Sequence, residues 1–134
     1  MISVDMLGSF PVDGRLGRER KELYRISREE MLYTIHGNQH PIPLTFFISN
    51  DFCHMGELTI PVGEGSRASE ADVHKGDAVI YVEIGPITFF LPDTSEVLVA
   101  EEGDAVFLPA GTEYHCINYT KHNVKGIFMI APDL

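Results

Sequence analysis

Basic residues are scarce in this chain, and the scarcity bears first on its partners. Ten Lys and Arg stand against twenty Asp and Glu, a formal net charge of −10. A phosphate-binding surface needs clustered cations, so neither nucleic acid nor an anionic membrane is expected as a partner. Long apolar runs are missing too: none approaches the roughly 20 residues of a membrane-spanning helix. The opening Met1-Ile2-Ser3-Val4-Asp5 has neither the basic end nor the apolar stretch of a signal peptide, so the cytoplasm is the expected compartment. Cysteine is confined to Cys53 and Cys116, at no metal-ligand spacing, and two buried free thiols are expected rather than a disulfide. The chain also lacks a phosphate-binding glycine loop, a nucleophile elbow and any CxxC-type zinc pattern.

What is present fits one domain. With 134 residues, 44% hydrophobic and 22% charged, the chain is long enough to bury a core without metal or disulfide staples. The charge is unevenly spread. Arg15, Arg18, Arg20, Lys21, Arg25 and Arg28 lie near the start, and the remainder is strongly acidic. That asymmetry has two readings, a solvated basic arm beside an acidic domain or an arm lying on an acidic barrel surface, its own or a neighbour's; a homodimer in which Arg15–Arg28 crosses to the second subunit is the expected assembly.

Residues 1–26 hold Gly8, Pro11, Gly14 and Gly17 among few apolar side chains and read as irregular chain. Ser27-Arg28-Glu29-Glu30 has the form of a capping box, which predicts a short helix from about Arg28 to Tyr33. After the turn-rich His36–Pro41, runs rich in Phe, Ile, Val and Thr alternate with turn residues, as an antiparallel sandwich or barrel requires. The spacing predicts strands near 44–49, 54–61, 67–74, 78–84, 86–91, 96–100, 105–109, 113–119 and 124–131. The chain thus divides into an arm with a short helix and lead-in loop at 1–43 and an all-β barrel at 44–134.

Two stretches carry a resemblance. Gly103-Asp104 through Pro109, Gly111 and Asn118 resembles the second motif of the cupin family, G-x5-P-x-G-x2-H-x3-N, with Tyr114 at the histidine place and His115 one residue late. Asp72 to Gly85 is similar to the first motif, G-x5-H-x-H-x3,4-E-x6-G, with Asp72 and His74 at the two histidine places and Ala78 at the glutamate. The resemblance implies a double-stranded β-helix, the jelly-roll cupin barrel. It also implies a site where family members hold iron, manganese, nickel or zinc. In this register only His74 keeps the family's ligand type. Asp72 and His74 share strand parity, Ala78 has no donor, and Tyr114 would ligate only as a phenolate.

The resemblance therefore implies a small-molecule-binding cupin with no cofactor expected, acting on a small polar metabolite by isomerase- or lyase-type acid–base chemistry. His74 and Tyr114 are its candidate catalytic residues, with Asp72, Asn118 and His54 lining the pocket. The alternative is a dioxygenase, decarboxylase or isomerase with one divalent ion. For that, a bulge at Glu113-Tyr114 would turn His115 inward to join His74, Asp72 and Asp77. A structural or regulatory subunit with a filled barrel is the third reading. His36 and His40 read as surface-loop residues, and Glu70 as a solvated residue near a strand start.

Overall fold

A computed structural model describes residues 6–37, 41–65 and 71–134. His40, Glu70 and the first half of the strand expected at 67–74 lie outside these ranges, and of its described half only Asp72 makes a bridge. Among the described residues, nine strands follow a short N-terminal helical region: β1 Leu32–His36, β2 Ile42–Ser49, β3 His54–Ile60, β4 Asp77–Ile84, β5 Ile87–Leu91, β6 Glu96–Ala100, β7 Ala105–Leu108, β8 His115–Ile117 and β9 Val124–Ala131. Every pairing between them is antiparallel. They form one sheet in the order β1-β2-β3-β9-β4-β7 and a second in the order β6-β5-β8. This is the expected all-β jelly roll.

Alternation generates the fold. In β3 and β9 every second residue is buried, so His54, Gly56, Leu58 and Ile60 face Ile130, Phe128, Gly126 and Val124 on the inner side. The second sheet contributes Ile87, Phe89 and Cys116 from the other side. Fully burying side chains such as Phe89, Ile60, Ile80 and Ile87 is worth about 1.5–3 kcal/mol each, so the barrel has a driving force of its own. The two glycines of the second motif, Gly103 and Gly111, both sit at positive φ, 87° and 79°, where a Cβ is disfavoured. Gly111 N–H also donates to the His74 carbonyl at 2.8 Å, so its turn is tied to the strand-like segment that carries the first motif.

Gly56 has a packing role. It pairs with Phe46 on one side and Phe128 on the other, and those two rings meet edge to face at 5.3 Å. A Cβ at position 56 would strike the Thr45 carbonyl oxygen and approach the Phe128 ring to 2.9 Å. Gly56→Ala is therefore expected to cost about 1–3 kcal/mol by overpacking, measured as a lower denaturation midpoint with an unchanged m-value. Wild-type stability in that variant would show that the strand moves aside freely.

The N-terminal region departs from the sequence expectation at two points. The capping box does not operate, because the Ser27 side chain makes no cap hydrogen bond; the helical part is a single 3-10 turn, Arg28–Glu30. The sheet begins at Leu32, upstream of the expected start at 44, because Leu32-Tyr33-Thr34-Ile35-His36 pairs with β2 residue by residue. Conversely, a helix, α1 Gly14–Arg20, forms where irregular chain was expected. Asp13 caps it by accepting from Leu16 N–H at 3.2 Å, and Lys21 closes it in the left-handed conformation. The described arm packs on its own barrel: Phe10 bridges Ser49, and Arg18 meets Asp51 at 3.0 Å with its guanidinium 3.5 Å above the Phe52 ring.

Candidate functional site

Between the sheets lies a cavity of about 240 Å³. Its position follows from register. Asp72 and Tyr114 exchange both backbone hydrogen bonds, at 2.9 and 3.0 Å, and this lays the first-motif segment beside the second. Asp72, His74 and Tyr114 all line the cavity, with Ala78 of β4 next to them. His74 Nε2 is 2.7 Å from the Tyr114 hydroxyl, the two rings tilted 49° to each other. The Asp72 carboxylate meets His36 Nε2 at 2.6 Å, a bond between the end of β1 and the first-motif segment.

The electrostatics push the central pair in opposite directions. Burial lowers the His74 pKa; the Asp72 carboxylate acts against this and His36 acts with it. Burial also raises the Tyr114 pKa well above its ordinary value, reinforced by Cys116 and Asp72. Near neutral pH the site therefore holds a neutral imidazole beside an intact phenol.

The other candidate residues do not meet at this cavity. His54 is buried at the start of β3, with Nδ1 2.7 Å from the Ser49 hydroxyl; that hydroxyl oxygen also accepts from Gly8 N–H at 2.9 Å. Its part is to tie the N-terminal segment to the barrel. Asn118 is consumed by its own turn: its amide donates to the carbonyls of Ile60, Pro61 and His122, and its oxygen accepts from Thr120. Asp77 accepts from Ala110 N–H at 2.9 Å and is exposed.

The bulge that would bring His115 inward does not occur. β8 runs in regular register with β5, so Cys116 pairs with inward-facing Phe89, whereas His115 pairs with Phe90 on the opposite face. There His115 is 1% exposed and stacked on the Phe90 ring at 5.8 Å, and neither ring nitrogen has a hydrogen-bond partner. It cannot join His74. His36 is the polar residue of this cluster that the sequence reading assigned to a loop; Leu32, Thr34 and His36 share strand parity, and that was the available signal.

The donor set does not fit the metal ion that the motif resemblance implies. Ala78 offers nothing, Tyr114 is held as a neutral phenol, and the His74 nitrogen that faces the cavity is already hydrogen-bonded to it. Among the described residues no three His, Cys, Asp or Glu side chains are grouped to hold an ion.

Both His54 and His74 resist protonation in the folded state, His54 again chiefly through burial, opposed by Asp133 and the Pro132 carbonyl. A folded pKa below the ordinary value of about 6.5 means that the unfolded chain binds protons first as pH falls. Stability is thus expected to be full above about 6.5 and to decline below it, and His74→Gln should flatten part of the decline. Thermal midpoints across pH 5–8 check this; a midpoint that rises on acidification would contradict it.

Comparison with solved structures gives the frame for these residues. A polyketide cyclase, RemF from Streptomyces resistomycificus, superimposes with a TM-score of 0.65 at 16% identity, covering 82% of this chain and 80% of its own. An RmlC-like cupin from Shewanella frigidimarina gives 0.65 at 14% identity over 83% and 92% of the two chains. The chain has the cupin fold. A predicted oxalate decarboxylase from Thermotoga maritima shares this cupin architecture, with a TM-score of 0.66 at 14% identity over 81% and 99%. No protein-family model matches the sequence, and no curated protein matches it. On this fold, two of the positions that match the motifs' ligand places, His74 and Tyr114, form a hydrogen-bonded pair.

Proposed function

We propose that this cupin binds a small organic molecule in its cavity and performs isomerase- or lyase-type chemistry on it, with His74 as base and Tyr114 as proton donor. The observation that carries the reading is the 2.7 Å contact between His74 Nε2 and the Tyr114 hydroxyl on the cavity wall. Environments that move two titratable groups apart assign them separate roles, and here they yield an unprotonated base beside a protonated acid.

A ligand carbonyl that accepts from the Tyr114 O–H releases Nε2, which then faces the adjacent carbon. A proton passes from that carbon to Nε2, the C–H electron pair forms a carbon–carbon double bond, and the charge developing on oxygen is held by the phenol. Return of the proton to another ligand atom completes an isomerisation; departure of a group from the next carbon completes an elimination. That proteins described as a polyketide cyclase and a predicted oxalate decarboxylase share the fold supports a small-molecule reading.

The test is hydrogen–deuterium exchange at the carbon next to the carbonyl, followed by NMR in D2O across a panel of ketones that bind. Exchange above the rate with the His74→Gln variant supports the proposal. Binding without any such exchange, for every ketone that binds, overturns it.

A further inference from the structure

Two parts of the cavity wall differ in chemistry. At one end Asp72, His74 and Tyr114 line the cavity, with Thr34 and His36 of β1 beside them; elsewhere on the wall β2, β3 and β9 contribute Leu44, Phe46, Leu58, Phe128 and Ile130, with no polar side chain among these five. Phe46 and Phe128 present an edge-to-face pair of rings on that apolar wall. A ligand that satisfies both parts has one polar edge and an apolar body, and a planar ring system places both with little loss of internal freedom.

Charge restricts the class further. Among the described residues no Lys or Arg lines the cavity; the carboxylate of Asp72 does, and the His36 ring beside it is already bonded to that carboxylate at 2.6 Å. A carboxylate or phosphate would enter an apolar chamber without a compensating guanidinium or ammonium, in a chain of net charge −10. The site thus selects against the small acids and phosphorylated metabolites that an arginine-lined pocket would favour. Size gives the remaining bound: a cavity of about 150 Å³ lined by Leu, Ile and Phe accommodates benzene, and this one is larger, at about 240 Å³.

We infer that the ligand is an uncharged, mainly apolar ring compound of about two fused rings, bearing a carbonyl or hydroxyl oxygen that docks at His74 and Tyr114. This replaces the small polar metabolite expected from the sequence, and it rests on the acid–base reading only for the place where the oxygen docks. Two further residues set the fit. Ala78 is 1% exposed and leaves open the space beside the pair, and Leu134, 38% exposed, lines the cavity from the C-terminal segment.

The experiment measures binding of five probes to the full chain by ligand-detected NMR and titration calorimetry: 1-tetralone and 1-naphthol as neutral bicyclic compounds, cyclohexanone as a single ring, and oxalate and glucose 6-phosphate as anions. The neutral bicyclic probes are expected to bind at least tenfold more tightly than either anion. Ala78→Leu should weaken 1-tetralone by at least tenfold while retaining cyclohexanone. If that variant does not fold, Leu134→Gln, at an exposed residue, should weaken 1-tetralone severalfold. Tighter binding of an anion, or no binding of either bicyclic probe, overturns the inference. So does 1-tetralone binding that neither variant changes, since the ligand would then sit elsewhere. Tetralone that binds and responds to the variants but shows no deuterium exchange leaves the ligand class standing and counts against the acid–base reading alone, so the two failures are separable.

Discussion

In the deuterium-exchange assay, His74→Gln is expected to slow the reaction by about 10²–10⁴-fold, the usual worth of a positioned general base. Glutamine keeps a polar group near the Tyr114 hydroxyl but has no basic nitrogen. The loss should therefore fall on turnover, with ligand binding changed little. Tyr114→Phe should cost about 10²–10³-fold through loss of the donor that holds developing charge on oxygen. The pH profiles separate the two roles. In the wild type the rate should rise with pH as His74 loses its proton, with a midpoint below the ordinary histidine value because burial opposes the charged ring. Tyr114→Phe should keep that ascending limb at a lower rate, whereas His74→Gln should abolish it. Both variants exchanging at the wild-type rate would remove the pair from the chemistry, and thermal unfolding of each would show whether a loss reflects the site or the fold.

Much of the architecture was legible because it rests on short-range rules. Gly103 and Gly111 mark turns at positive φ that few other residues tolerate, and the strand runs alternate with the period of a pleated strand. From Ala78 onward, observed strand limits therefore follow the expected ones closely. The errors arose where local pattern was overruled. Ser27 and Glu30 have the letters of a capping box, yet Leu32 to His36 gain more by pairing with β2 than by extending a turn. Gly14 and Gly17 lower helix propensity, but the Asp13 cap and the packing of Phe10 and Arg18 at the barrel end make α1 possible.

The site was legible only as far as parity reaches. Strand alternation places Asp72 with His74, and the motif spacing places Tyr114 opposite them. The His36–Asp72 bond joins residues far apart in sequence, and no local pattern carries it. Asn118 shows the converse limit: its spacing is that of the motif, but the side chain serves the turn rather than the cavity. His115 was the ambiguous residue, and the regular β5–β8 register decides it by pairing Cys116 with Phe89 on the inner face.

The pattern of lost ligands can be tested in reverse. Ala78 and Tyr114 both line the cavity beside His74 and Asp72, so Ala78→Glu with Tyr114→His would place two imidazoles and two carboxylates around one point. Imidazole and carboxylate donors suit divalent first-row ions. The double variant is expected to bind one Co²⁺ or Zn²⁺ saturably, where the wild-type chain binds neither at that position. Ala78 is only 1% exposed, so without metal the carboxylate introduced in its place should destabilise the variant as an unpaired buried charge. Metal should then restore stability by linkage: at 100 times the dissociation constant the gain is about 2.7 kcal/mol, a rise in melting temperature of roughly 10 °C. Neither single change should give the full rise, because each leaves the cluster one donor short. A double variant that folds but shows no metal-dependent shift would mean that the Asp72–His36 bond withholds a carboxylate the ion requires. Adding His36→Ala to that variant should then release it. Stoichiometric metal in the wild-type protein, lost on His74→Gln, would reverse the argument and establish that His74 serves an ion rather than Tyr114.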